Sequence, residues 1–349
     1  MTALSVAPHN TGVTDLSTKR PIKHAVRVLL YCALGLLAPS AQAADKAAGS
    51  DYPNRPIRFI SPFLPGGSQD VIARIVGGRL AERLGQPVVV DNRSGAAGII
   101  ATELTARAQP DGHTLLMITA GPITIAPSLQ SKLPYDPQKD LAPVTQLVET
   151  PMALMASPAF PAKSVAEAIA LAKARPGQLN YASVGNGSIS HLTMELFKTY
   201  TGTEMTHVPY KGAVPAFTDL IGGQVQLLFI TTASAQPFTA SGKVRALGVA
   251  ANKRSAIMPE VPTIIEAGVK NFEVPVWAGV ATTAGTPKRV IDRLYREIHA
   301  VLQMPETRER LATLGSEVVG STPEQFATLL KEDRARWAKV IKTANVKVE

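Results

Sequence analysis

The chain has 349 residues, 45% apolar and 5% aromatic, with 36 Lys and Arg against 27 Asp and Glu and a net charge of +9. That length suffices to bury two cores of ordinary domain size, and the basic residues (Arg74, Arg79, Arg83, Arg107, Lys173, Lys253) are scattered, without the aromatic-interleaved patch of a nucleic-acid binder. The single cysteine, Cys32, lies near the start, so disulfides, thiolate catalysis and Cys-based metal sites are excluded from the rest of the chain.

Lys19, Arg20, Lys23 and Arg27 precede an apolar stretch from Val28 to Leu37, followed by Pro39 and the small-residue site Ala41-Gln42-Ala43. This is the pattern of a signal peptide, with cleavage expected after Ala43 and a periplasmic destination. The stretch is too short to span a bilayer, which takes roughly 20 apolar residues. Bulky Tyr31 before Cys32 argues against a lipid anchor. Loss of residues 1–43 removes four basic residues and Asp15, leaving 32 basic against 26 acidic residues, a net charge of +6.

Beyond the leader, short β-favouring runs alternate with stretches of helical spacing. Ile57 to Ile60 reads as a strand, Ser68 to Leu84 as a helix stopped by Gly85, Val88 to Val90 as a strand, Gly98 to Ala108 as a helix and Leu115 to Ile118 as a strand. Such alternation predicts parallel strands with crossover helices. The pattern restarts after Pro151: a strand at Met152 to Met155, a helix capped by Ser164, and strands at Leu179 to Ser183, Met205 to Val208, Val225 to Ile230 and Arg245 to Val249. A strand at Val276 to Ala281 and helices at Lys288 to Leu302 and Thr322 to Lys342 follow, the last with Thr322 as N-cap and Pro323 at the first helical position. The expected fold is α/β, with two Rossmann-like domains. Domain 1 takes residues 51–150 plus 276–349 and domain 2 takes 151–275, so two crossovers make a hinge.

Three strand-to-helix junctions are candidate binding elements. In Pro62-Phe63-Leu64-Pro65-Gly66-Gly67-Ser68-Gln69-Asp70, the helix start and its dipole favour an anion, and Gly66 and Gly67 let a ligand approach the backbone. A plain turn capped by Ser68 is the alternative. Asp70 either complements the helix N-terminus or accepts a hydrogen bond from the ligand. The lysine and spacing of a phosphate loop are missing. Ser183-Val184-Gly185-Asn186-Gly187-Ser188-Ile189-Ser190-His191 repeats the arrangement in domain 2; Ser190 stands in place of the third glycine of a dinucleotide fingerprint, and Ser188 with His191 lacks a nucleophile elbow and an orienting acid. Paired across the domains, these two loops make an anion clamp. Tyr210 and Lys211 sit at a third strand edge, and Thr119 and Ala120 at the corresponding edge of domain 1, where small side chains leave room. Trp277 reads as core. His113, His191, His207 and His299 lack metal spacing, so neither a metal nor a cofactor is expected.

In order, Tyr52-Pro53-x-x-Pro56-Ile57, Pro62-Phe63-x-Pro65-Gly66-Gly67-Ser68-x-Asp70, Asn92-Arg93-x-Gly95-Ala96-x-Gly98, Pro110-Asp111-Gly112-x-Thr114-Leu115, Leu179-Asn180-Tyr181-Ala182-Ser183-x-Gly185-x-Gly187-Ser188-x-x-His191, His207-Val208-Pro209-Tyr210-Lys211-Gly212 and Val261-Pro262-Thr263 closely resemble the substrate-binding proteins of tripartite tricarboxylate transporters, the Bug-type receptors. The resemblance spans residues 51–349. It implies a hinge-closing fold like the type II periplasmic binding proteins and a receptor, not an enzyme, that delivers a small organic acid to membrane transporter subunits. A monomer is expected. By motif, Phe63, Gly66, Gly67, Ser68 and Asp70 would line the cleft opposite Gly185, Gly187, Ser188 and His191. One departure stands out: many relatives carry an acid after the Phe that corresponds to Phe229, whereas this chain has Ile230-Thr231-Thr232, which makes an amino-acid ligand less expected. A receptor that signals to a partner and a Ser/His hydrolase are the alternative functions.

Overall fold

A computed structural model describes residues 52–347; the signal-like segment, Cys32 and the Ala43 cleavage site lie outside the described residues. Strands β1 (Ile57–Ser61), β2 (Val88–Asn92) and β3 (Thr114–Thr119) pair in parallel, with β1 in the middle. β1 and β3 are buried along almost their whole length, because helices cover both faces of a parallel sheet. Helix α1 (Ser68–Leu84) packs Ile72, Ile75, Val76 and Leu80 inward, each contributing about 1.5–3 kcal/mol by leaving water. It ends at Gly85, as its sequence predicts. Helix α2 (Ile99–Ala106) returns the chain to β3. After β3 a wide helical turn (Gly121–Ile125) runs straight into α3 (Ala126–Leu129), which the sequence analysis does not anticipate.

Strand β4 (Leu141–Ala156) links the two halves. Its first part pairs antiparallel with β9 (Pro275–Thr283) and with the short β10 (Glu317–Val318). Its last five residues, from Met152, pair antiparallel with β7 (Leu227–Thr231) and β8 (Arg245–Ala250). The change of partner falls where Pro151 faces Pro275, and neither proline has an N–H to give the ladder. Pro143 and Pro151 break the strand pattern in the sequence, so only Met152 to Met155 is legible there as a strand. In the fold, Pro143 is accommodated where the register shifts before Thr145.

The second half repeats the first. β5 (Asn180–Ser183) pairs in parallel with β6 (Thr206–Pro209) and β7, interleaved with α4 (Val165–Ala174), α5 (Ile189–Thr201), α6 (Ala213–Ile221) and α7 (Thr232–Ala240). The overall strand order is β2-β1-β3-β9-β4-β7-β5-β6, with β8 and β10 also on β4. The all-parallel expectation therefore holds for β1 to β3 and β5 to β7, while β4 and β9 run antiparallel to their neighbours. α8 (Lys288–Gln303), α9 (Pro305–Thr313) and α10 (Pro323–Thr343) close the chain. Thr322 and Gln325 form a reciprocal capping box at the start of α10. α10 drives Phe326 and Trp337 into the core, and Gly279 of β9 makes room for the Phe326 ring. No helix among the described residues is long and apolar enough to cross a membrane.

Candidate functional site

A cavity of about 1160 Å³ opens at the C-terminal ends of β1, β3, β5, β6 and β7, the edge of an open α/β sheet where ligands bind. Its wall takes Pro62, Phe63 and Gln69 from the β1–α1 junction, Gly185 to Ser190 from the β5–α5 junction, Gly212 and Ala213 from the start of α6, and Thr231, Ala233 and Ser234 from the start of α7. Four helices thus bring their N-terminal turns to one space. First-turn amides have no intrahelical acceptor, and the helix dipoles add positive potential.

The first junction is held from behind. Asp70 is buried, and its carboxylate accepts hydrogen bonds from the Gly66 N–H (2.9 Å), Arg74 Nε (2.9 Å) and Asn92 Nδ2 (2.7 Å). Asn92 Nδ2 also donates to the Phe63 carbonyl at 2.9 Å, so one network pins both ends of the loop. Burial alone would raise the Asp70 carboxyl; the hydrogen bonds from Arg74, Gly66 and Asn92 outweigh it and hold the group below the usual carboxylate range. Of the roles open to Asp70, the geometry supports orienting the loop: its oxygens are taken by the protein and it does not line the cavity. Gly66 has φ +85°, a conformation that an L side chain rarely adopts. Gly66 and Gly67 complete the turn without lining the cavity, and Gly67 is the N-cap of α1.

The second junction places Gly185, Gly187 and Ser188 on the cavity wall, and Ser188 caps α5. Ser188 Oγ donates to the Gly185 carbonyl (2.6 Å) and accepts from the His191 N–H (3.3 Å). His191 is buried behind the loop, where its Nδ1 accepts the Gly187 N–H at 3.1 Å. Its ring stacks on His207 at 3.7 Å, and His207 stacks in turn on Tyr181 at 4.9 Å. Glu195 accepts the Tyr181 O–H and the Lys198 ammonium. Burial pushes His191 below its ordinary value; burial, with His191 and Lys198 nearby, pushes His207 down to about 3. Both rings are therefore neutral at pH 7. With Ser188 Oγ committed to Gly185 and His191 Nδ1 to Gly187, these two side chains do not pair as nucleophile and base.

Tyr210, like Asp70 and His191, stands behind the wall. Its hydroxyl donates to Asp219 at 2.6 Å, and burial with that carboxylate pushes it up to about 12. Lys211 is exposed and away from the lining, while Thr119 and Ala120 line the cavity. Trp277 is core and wall at once: it lines the cavity, and its indole N–H donates to Asp333 at 3.1 Å.

Thr150, Ser190, Thr231, Ser234, Ser316 and Lys132 also line the cavity and escape the sequence analysis as binding candidates. Thr231 and Ser234 repeat the strand, cap and helix pattern, with Thr231 Oγ1 accepting the Ser234 N–H, but without the glycines that mark the other junctions. Thr150 and Ser316 meet only through tertiary pairing, their hydroxyls 3.0 Å apart. Among the described residues, no group of three or more His, Cys, Asp or Glu side chains is arranged to hold a metal ion.

Residues 72–346 match the model of a family described as "Tripartite tricarboxylate transporter family receptor". Among solved structures, Rpa4515 of Rhodopseudomonas palustris, determined with adipate, is 37% identical with a TM-score of 0.74, covering 85% of this chain and 99% of its own. The periplasmic binding protein BugD is 37% identical with a TM-score of 0.71, covering 85% of this chain and 100% of its own. MatC of Rhodopseudomonas palustris, with bound malate, is 35% identical with a TM-score of 0.70, covering 83% of this chain and 100% of its own. These are solute-binding proteins and not enzymes. The family match over most of the chain, joined by the same fold in relatives that share more than a third of their residues, makes this chain a member of the tripartite tricarboxylate transporter receptor family.

Proposed function

We propose that the chain is an exported receptor that captures a small organic carboxylate in this cavity and delivers it to the membrane subunits of a tripartite transporter. One observation carries the reading: helix N-termini from both halves meet at a cavity that, among the described residues, is lined by no acidic side chain. Unpaired first-turn amides and positive dipole ends favour an anion. Neutral hydroxyls such as those of Thr119 and Ser234 supply hydrogen bonds without selecting one charge pattern. Adipate and malate, held by the two relatives, are both carboxylates. Residues 51–150 plus 276–349 form one body and 151–275 the other, and the paired prolines Pro151 and Pro275 mark the hinge on which they close over the ligand. Cleavage after Ala43 releases the receptor as a monomer in the periplasm.

The test is a thermal-shift screen of the purified mature chain against mono-, di- and tricarboxylates, aromatic acids and amino acids. Ligand at a hundredfold excess over Kd stabilises by about 2.7 kcal/mol, which reads as a rise of several degrees in Tm. A broad acid panel that leaves Tm unmoved defeats the proposal.

A further inference from the structure

The sequence contains one Asn-Gly dipeptide, Asn186-Gly187, and it falls on the cavity wall within the β5–α5 junction. In such a pair the asparagine side chain reacts readily with its own backbone, because glycine sets no Cβ beside the attacking amide nitrogen. Asn186 is exposed, and its Nδ2 donates to the Lys347 carbonyl at 2.6 Å, a bond on the amine that leaves and not on the carbon that is attacked. The Gly187 N–H carries the proton that must go before this nitrogen can attack, and it points at His191 Nδ1, 3.1 Å away. A general base has to stand within hydrogen-bond reach of the proton it removes, and this imidazole nitrogen does. Burial keeps the ring neutral, with Nδ1 as the acceptor. Around it stand His207 of β6, stacked at 3.7 Å, Tyr181 of β5, and from α5 both Glu195, 4.0 Å from Nε2, and Lys198, paired with that carboxylate at 2.7 Å. Glu195 thus faces the ring nitrogen opposite the base and stabilises the imidazolium that forms when Nδ1 takes a proton, as an acid does behind a catalytic histidine.

We propose that Asn186 is a self-deamidation site with His191 as its base, and that the reaction turns a neutral ligand loop into an acidic one. His191 Nδ1 takes the Gly187 amide proton while that nitrogen attacks Asn186 Cγ. The new N–Cγ bond closes a succinimide ring, the Cγ–Nδ2 bond breaks, and the amine leaves as ammonia with the proton that His191 returns. Water then opens the ring at either carbonyl and leaves aspartate or isoaspartate. Either product carries a carboxylate at neutral pH, on a wall lined by no acidic side chain among the described residues. A like charge beside a bound anion repels it. The covalent step stands without the receptor reading; its effect on acid binding rests on that reading.

The experiment holds the purified mature chain at neutral pH, folded in buffer and unfolded in guanidinium chloride, and follows it over days by peptide mapping, which reads the NH2-to-OH mass gain at each asparagine. Asn186 is expected to convert about tenfold or more faster in the folded chain than in the unfolded one, where no histidine is held on the Gly187 amide. It is expected to outrun Asn180 and Asn252 in the same folded sample. His191→Gln can accept the Gly187 N–H but cannot take its proton, and it is expected to lose the advantage. A histidine that only braces the loop gives the opposite sign, because a loosened loop closes the ring faster. Folded conversion at or below the unfolded rate, or a His191→Gln rate equal to or above wild type, overturns the base role; the first comparison needs no variant. For the consequence, calorimetric titration with an acid that the wild type binds is expected to show Asn186→Asp at least about fivefold weaker than Asn186→Gln. Equal affinities overturn the effect on binding. If no acid in the thermal-shift panel binds the wild type, the receptor reading falls, and the covalent step is judged by the mapping alone.

Discussion

Replacing Asp70 by Asn tests whether the glycine loop is built by its neighbours or stands by itself. The carboxylate is buried and accepts three hydrogen bonds, of which those from the Gly66 N–H and Asn92 are partly buried. Arg74 is half exposed and is rehydrated when its partner goes, so it is left out of the sum. An asparagine has one acceptor oxygen where the carboxylate has two, so either Gly66 or Asn92 faces an NH2 group and loses its partner. Losing one such partly buried hydrogen bond costs about 1 kcal/mol, which corresponds to a fall in Tm of roughly 2–4 °C. The sign of the pH dependence follows from the lowered carboxyl: its folded-state pKa lies below the unfolded value of about 3.9, so its stabilisation is complete above that pH and is lost as pH falls through the folded value. Thermal melts of wild type and Asp70→Asn are therefore expected to differ most near pH 7 and to converge below about pH 4. Calorimetric titration with an acid that the wild type binds should show a weaker affinity, because Phe63 is no longer pinned through Asn92. Equal Tm values at pH 7, or a gap that stays constant down to pH 3, would refute the account of the loop.

Ser188→Ala removes the cap of α5 and the bond to the Gly185 carbonyl; melts should show a loss of about 1 kcal/mol, and acid titration a modest fall in affinity. His207→Gln addresses the stacked pair. A histidine held down to about 3 stabilises fully above about pH 6.5 and loses that contribution as pH falls toward its folded value, by at most about 1.4 kcal/mol per pH unit. Chemical denaturation between pH 7 and pH 4 should therefore show a shallower decline for the variant than for wild type; an identical slope contradicts the neutral stack. Gly279→Ala would set a methyl against the Phe326 ring and 2.7 Å from the Thr145 carbonyl oxygen. It is expected to cost about 3 kcal/mol or more in a denaturation midpoint, with Phe326→Leu in the same chain recovering part of the loss.

The junctions were legible in the sequence because their signals are local. A β run, a glycine-rich turn and a capped apolar helix follow one another within a dozen residues, and Phe63, Gly185, Gly187 and Ser188 are on the wall where that grammar puts them. The edge residues Thr119 and Ala120 follow from the same rule. Asp70, His191 and Tyr210 belong to the same motifs, yet they brace the loops from behind. A motif records that a residue is needed at a junction, not which way its side chain turns.

By itself, the sequence determined the alternation of strands and helices, the caps at Ser164 and Thr322, and the family to which the chain belongs. Only the tertiary structure decided that β4 continues through Pro151 opposite Pro275, that Thr150 meets Ser316, and that a lone lysine on an unremarkable loop stands at the cavity. The physical reason is range. Turn, cap and periodicity are set by backbone sterics and hydrogen bonds over a few residues, whereas strand pairing and the walls of a cavity join segments more than a hundred residues apart, whose contact is set by the packing of the whole core.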